Sequence, residues 1–160
     1  MAKSYKGNPW VVGGTVGEEE NFNPANTQTW KAGQWFVQNN GYVSLCASAA
    51  VKVTGMFTKD QTTNSAVGTL VKGVRFREGT ILEGYICNGD ADTPAVQAYA
   101  GEDYGIHVGG NTVSIDKADP TNVAVTVEDI GANYDVYRQT VATDPGTVRF
   151  RIKAAILTAS

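Results

Sequence analysis

The residue types best suited to catalysis or metal binding are few in this sequence. His107 is its only histidine, and Cys46 and Cys87 lie far apart in apolar, strand-like runs. A nucleophilic site working near neutral pH would need the histidine, yet no Gly-x-Ser-x-Gly motif lies near it. Two cysteines without Cys-x-x-Cys spacing do not predict zinc and are expected to be buried free thiols. We therefore predict a non-enzyme with no catalytic, metal-binding or cofactor-binding residues.

One loop has part of the ligand pattern of a calcium site. Asn88, Asp90 and Asp92 alternate along the chain, as the first ligands of a calcium loop do. Positions six and twelve of such a loop are Thr93 and Tyr99, where glycine and glutamate are required. We interpret the segment as a solvated turn and predict no metal there.

Three basic side chains alternate in the last predicted strand, at 147–156. Arg149, Arg151 and Lys153 fall on one face, about 7 Å apart, because successive strand side chains point to opposite sides. This face is either an exposed sheet face or a charged edge that blocks aggregation. The other interpretation is a contact with an acidic neighbour subunit, for which the glutamates at 18–20 are candidate partners.

Alternation of apolar and polar residues predicts the elements that carry these side chains. The stretch 104–127 is predicted to hold three consecutive antiparallel strands, with a turn at 109–111. An Asn-Gly pair at 40–41 predicts a tight hairpin between 34–37 and 42–45. The pattern as a whole predicts an all-β fold, an antiparallel β-sandwich or barrel of about ten short strands with an extended N-terminal arm.

Four other segments carry expectations. A further strand is predicted at 134–141, and Gly55 is expected at a bulge or a close backbone approach. The polar stretch 58–69 is expected to be an exposed loop. Helical turns are expected only within 90–103 and 128–132.

Residues 1–29 are predicted to form the arm, and residues 30–160 a single β-domain. The arm is rich in Gly, Pro and Asn, yet it contains Tyr5, Trp10 and Phe22. Large aromatic side chains on a polar segment suggest anchors for a partner. Trp10 would equally serve as a cap on the protein's own barrel, and the two roles are compatible.

Charge and hydropathy exclude some partners. The formal net charge is −3, the sequence pI is about 5.1, and 18% of residues are charged, whereas nucleic-acid binding usually needs a basic face. No apolar run has the length of a signal peptide or a membrane span. We expect a protein made in a host cytoplasm with neither nucleic-acid nor membrane partners.

Two passages resemble the structural proteins of tailed bacteriophages: WKAGQWFVQNNGYV at 30–43 and YGIHVGGNTVSIDKADPTNVAVTV at 104–127. With its size, its glycine- and threonine-rich composition and its polar arm, the chain resembles the head decoration (capsid cement) proteins of these phages. The resemblance implies a structural protein on the outer capsid surface of the virion. It would bind the major capsid protein, often as a homotrimer, and stabilise the shell.

Partner contacts are expected at the arm and at the basic face of the last strand. The predicted residues are Tyr5, Trp10, Glu18, Glu19, Glu20, Phe22, Arg149, Arg151 and Lys153. The alternative function is a ligand- or carbohydrate-binding β-module of a phage tail or fibre. In that case Trp10, Trp30 and Trp35 would stack on sugar rings.

Overall fold

The computed structural model describes residues 7–89, 91–93, 95–130 and 146–157. The described chain is all-β, as predicted, with twelve strands and one short 3-10 helix. The strands are β1 (Trp10–Gly13), β2 (Val16–Phe22), β3 (Trp35–Asn39), β4 (Tyr42–Leu45), β5 (Gly55–Phe57), β6 (Val71–Phe76), β7 (Ile81–Asn88), β8 (Ala91–Asp92), β9 (Asp103–Gly109), β10 (Thr112–Asp116), β11 (Val125–Ile130) and β12 (Thr147–Ile152).

The 3-10 helix spans Gln97–Tyr99, within one of the two segments where a helical turn was expected. The other expectation is wrong for residues 128–130, which belong to β11. The predicted strand at 134–141 lies outside the described residues.

Five strands close into a barrel in the order β7-β10-β9-β11-β12, and β12 returns to pair with β7. Neighbouring strands are antiparallel except β7 and β10, which run parallel through Ile86 and Ile115. The chain between β7 and β10, which includes β8 and β9, is long enough for the crossover that a parallel pair requires. β1 and β8 also pair with β7.

The other five strands form an antiparallel sheet in the order β2-β6-β5-β3-β4. One face packs on the barrel core through side chains that include Trp35 and Phe76. The other face carries Phe36 and Phe57, and Trp30 stacks on Phe57 with ring centroids 3.8 Å apart. Both faces of this sheet are therefore covered, since the segment that contains Trp30 lies over the outer one.

β12 has the alternation that the sequence predicts. Val148, Phe150 and Ile152 are buried, whereas Arg149 and Arg151 are exposed. The strand lies between β11 and β7, so its interpretation as a charged sheet edge is wrong. A central strand keeps its polar face exposed here because that face is the outside of the barrel.

Two glycine predictions are confirmed. The hairpin turn between β3 and β4 has Asn40 at φ 52° and Gly41 at φ 86°, the positive angles that a two-residue turn requires. A Cβ on Gly55 would lie 2.1 Å from the carbonyl oxygen of Val74. Gly55 therefore marks a close approach of two backbones, in which no side chain fits.

The N-terminal segment is extended and takes part in both sheets. β1 pairs with β7 of the barrel and β2 with β6 of the second sheet. Residues 23–28 then hold the loop at 58–69, which is mostly exposed as expected. In that loop Ser65 is buried and donates a hydrogen bond to the carbonyl of Ala25, 2.6 Å away.

Both cysteines are buried and neither forms a disulfide, as predicted. Burial raises the pKa of the Cys46 thiol from its ordinary 9.0 to about 12, because desolvation disfavours the thiolate. Such a thiol behaves as a small apolar side chain in the core.

Candidate partner-binding surfaces

Each cation of the predicted basic face is paired with a carboxylate of the same chain. The pairs are Arg149 with Glu83 at 3.2 Å, Arg151 with Glu128 at 2.8 Å and Lys153 with Asp103 at 2.6 Å. The carboxylates come from β7 and β11, which flank β12 in the barrel, and from β9, which lies beyond β11. A row of closed ion pairs attracts an acidic neighbour far less than three free cations would.

Glu83 is the buried member of this row. Its side chain is only 3% exposed, and it accepts hydrogen bonds from Thr147 Oγ1 at 3.0 Å and from Arg149 Nε at 3.2 Å. Burial of a carboxylate is costly unless it is paired and hydrogen-bonded. Arg149 is therefore required within the barrel wall as the ionic partner of Glu83.

Asp103 is the carboxylate at the other end of the row, and it accepts two short hydrogen bonds. Lys153 Nζ donates to its Oδ2 at 2.6 Å and Thr126 Oγ1 to its Oδ1 at 2.6 Å. These hydrogen bonds lower the pKa of Asp103 below its ordinary value, because they favour the charged form.

The acidic triplet of the N-terminal segment lies on β2, and two of its members have partners. Glu20 pairs with Arg75 at 3.2 Å, and Glu19 accepts a hydrogen bond from Thr58 Oγ1 at 2.7 Å. Glu18 is exposed and makes no ion pair with the described residues. Within the described residues only Glu20 has a cationic partner, so Glu18 and Glu19 both remain candidates for contact with a basic partner.

The three predicted aromatic anchors have different outcomes. Tyr5 lies outside the described residues. Trp10 is 37% exposed, whereas Phe22 is only 3% exposed and packs against Phe36 with ring centroids 4.8 Å apart. Phe22 as a partner anchor is therefore wrong, because its ring belongs to the protein's own core.

The sugar-stacking role assigned to the tryptophans fails for two of them. Trp30 and Trp35 are 3% and 1% exposed, and Trp30 Nε1 donates to the carbonyl of Lys59 at 2.9 Å. A sugar ring needs an open aromatic face. Of the three, Trp10 alone has such a face.

Trp10 lies beside an uncharged groove of about 340 Å³. Its lining residues are Asn8, Pro9, Trp10, Ala32, Gly33, Met56, Phe57 and Thr58. A larger groove of about 460 Å³ is lined by charged residues that include Glu78, Glu128, Arg151 and Lys153. The two grooves therefore suit ligands of different character, and the first suits an uncharged one.

Asn8 fixes the position of the segment that enters β1, which the sequence did not predict. Its Nδ2 donates to the carbonyls of Ala32 at 3.2 Å and Asn111 at 3.0 Å, and its Oδ1 accepts from the backbone N–H of Val113 at 2.8 Å. One side chain thus joins the N-terminal segment, the second sheet's loop and β10. Its partners are distant in sequence, so no local pattern indicated the role.

The other residues considered for chemistry are not brought together. His107 lies on β9 opposite Ser114, and Asp90 of the calcium-like loop is outside the described residues. In the ranges that the structure describes, no three His, Cys, Asp or Glu side chains form a group that could hold a metal ion. No helix there is long and apolar enough to cross a membrane.

Comparison with protein-family models, with curated protein sequences and with solved structures finds no match to this chain. Its own geometry therefore carries the functional argument. That geometry consists of a two-sheet β body, a row of three ion pairs on the barrel wall, and an exposed tryptophan beside an uncharged groove.

Proposed function

We propose that the protein is a non-enzymatic virion structural protein that binds the outer surface of a phage capsid and stabilises the shell. The observation that carries the proposal is the exposure of Trp10 at the rim of an uncharged groove. Tryptophans in such positions are frequent energetic centres of protein interfaces. The resemblance of residues 30–43 and 104–127 to phage structural proteins gives the class of partner, the major capsid protein.

The way the N-terminal segment is built into both sheets suits a protein that holds shell subunits together. The N-terminal segment pairs with strands of both sheets, and Asn8 ties it to three further backbone groups. A load applied at Trp10 would pass directly into the barrel and the second sheet. Many copies on one lattice, grouped as homotrimers, would add their individual affinities as avidity.

The carbohydrate-binding alternative is less well supported. Because Trp30 and Trp35 are buried, only Trp10 of the three tryptophans could stack on a sugar ring. Binding of the purified protein to a glycan array, with loss on Trp10→Ala change, would favour that alternative over the capsid proposal.

The test uses purified protein and undecorated, expanded capsids of the phage that encodes it, in co-sedimentation at several protein concentrations. Trp10→Ala is expected to weaken binding at least about tenfold, because truncation of an interface tryptophan commonly costs about 2 kcal/mol. Tyr42→Ala is the matched control, since Tyr42 is 41% exposed but lies on β4, in the other sheet. Failure of the unaltered protein to sediment with capsids would refute the proposal.

A further inference from the structure

The sheet edges of this protein are protected to different degrees. The edge of β4 is covered, because Val43 exchanges backbone hydrogen bonds with Asn23 and Ala25 at 2.9 and 3.0 Å and bridges to Pro24. The edge strand β2 carries three consecutive glutamates. A covering segment, proline and charge are the usual means by which proteins prevent unwanted strand pairing.

Within the described ranges, β1 itself has none of these protections. Its sequence is Trp-Val-Val-Gly, and in the described part of the chain it pairs with β7 alone. Trp10 and Val12 are 37% and 39% exposed. An uncharged, apolar strand with a free edge is a template for one more strand.

The environment of β1 defines what could pair with it. Trp10 borders the groove of about 340 Å³ that Ala32, Gly33 and Met56 also line, and no lining residue is charged. A charged occupant would lose hydration there without gaining an ionic partner. An uncharged extended chain would satisfy the backbone groups of β1 and lay apolar side chains beside Trp10.

We propose that the free edge of β1 is a strand-addition site for an extended, uncharged segment of the capsid shell protein. The identity of this partner rests on the function proposed above, whereas the site and its mode of binding rest on the edge itself. Main-chain hydrogen bonds would supply affinity, and Trp10 and Val12 would select apolar side chains at alternate positions of the segment.

Surface area favours a segment over a second copy of this chain. A stable interface buries about 800 Å² on each partner, but a strand of four residues is only about 13 Å long. Two folded copies joined through β1 would fall short of that area. An extended segment does not need to bury that area on β1 alone, because it can continue into the groove. A lattice of many copies also adds the affinities of individually weak contacts.

The experiment measures capsid binding of Val12→Lys, which puts a charge at the edge on a side chain already exposed. Val67→Lys is the matched control, because Val67 is also exposed, at 46%, but lies in the loop at 58–69 and not in β1. Val12→Lys is expected to weaken binding about tenfold, the equivalent of one or two lost hydrogen bonds. Val67→Lys is expected to bind as the unaltered protein does.

Amide hydrogen exchange of the unaltered protein, free and capsid-bound, tests the mode of binding without any variant. Strand addition predicts slower exchange at residues 10–13 in the bound state, by about tenfold for amides that gain a strand hydrogen bond. Unchanged exchange at 10–13, or full binding by Val12→Lys, would overturn the strand-addition site even if the protein binds capsids.

Two further outcomes separate this inference from the proposed function. Absence of capsid binding by the unaltered protein refutes both. A dimer of the free protein in sedimentation that Val12→Lys converts to monomer would make a second copy the occupant and would overturn the assignment to the shell protein.

Discussion

Lys153 Nζ lies 2.6 Å from Asp103 Oδ2, and this contact connects the residue after β12 to the first residue of β9. The two strands are not neighbours in the barrel, since β11 lies between them. Thr126 of β11 donates to the same carboxylate. Asp103 of β9 therefore links β11 and the residue that follows β12, so that its contacts span three consecutive strands of the barrel wall.

Asp103 is expected to make stability depend on acid pH. Its pKa is lowered in the folded state from an ordinary 3.8, so its contribution to the free energy of unfolding is complete above that value. The contribution is lost as the pH falls through the lower, folded pKa. Urea unfolding between pH 2 and 7 should therefore have a shallower acid dependence in Asp103→Asn. Glu18→Gln is the control, and an equal slope in all three proteins would contradict the prediction.

Cys46 is expected to react slowly with alkylating agents in the folded protein. At pH 8 a pKa of about 12 instead of 9.0 leaves roughly a thousandfold less thiolate, and the thiolate is the reactive form. Iodoacetamide labelling, followed by peptide mass spectrometry, should be correspondingly slower in buffer than in urea. Similar rates in the two conditions would show that Cys46 is accessible.

The same raised pKa predicts a loss of stability in alkali. A group whose folded pKa lies above its unfolded value stabilises the fold fully below the unfolded pKa, here 9.0. This contribution disappears as the pH rises from 9.0 to about 12. Unfolding of the native protein and of Cys46→Ala, measured from pH 7 to 10.5, should converge as the pH rises. A constant difference between the two curves would argue against it.

Gly41→Ala is expected to destabilise the β3–β4 hairpin through the backbone alone. Gly41 has φ 86°, and a Cβ there would meet no atom within 4 Å. A non-glycine residue in the left-handed region costs about 1–2 kcal/mol. Gly13→Ala is the control, since a Cβ on Gly13 is also free of contacts but its φ is not left-handed. Equal midpoints of urea denaturation for the two variants would contradict this account.

Asn8→Ala is expected to lower the free energy of unfolding by about 1–3 kcal/mol, because three backbone groups lose their side-chain partner. The matched variant Asn21→Ala changes an exposed side chain of β2 and should alter stability by less than about 0.5 kcal/mol. Thermal or urea unfolding gives both values. If the two variants are equally stable, Asn8 does not join the elements as its hydrogen bonds indicate.

Several features of the fold follow from the sequence because their causes are local. The Asn-Gly turn at 40–41 needs only two residues that tolerate positive φ. The alternation of β12 needs only the period of two that every strand has. The same reasoning gives the all-β class, since turn formers and alternating runs recur along the whole chain.

Which side chains contact one another within the chain depended on the tertiary structure, because strands that pair are distant in sequence. The sequence placed Arg149, Arg151 and Lys153 on one face, but only the barrel brings a carboxylate to each of them. Phe22 has the same local setting as other aromatic residues of the N-terminal segment. It is buried because β2 pairs with β6 in the sheet that also contains β3, whose Phe36 packs against its ring.

The sequence by itself thus determined the all-β class, several turns and the alternation of faces, which depend on neighbours within a few residues. The tertiary structure alone decided which edges are covered, which charges are neutralised and where Trp10 is exposed. Those properties arise from contacts between residues tens of positions apart, and periodicity carries no information about which distant strand will lie alongside.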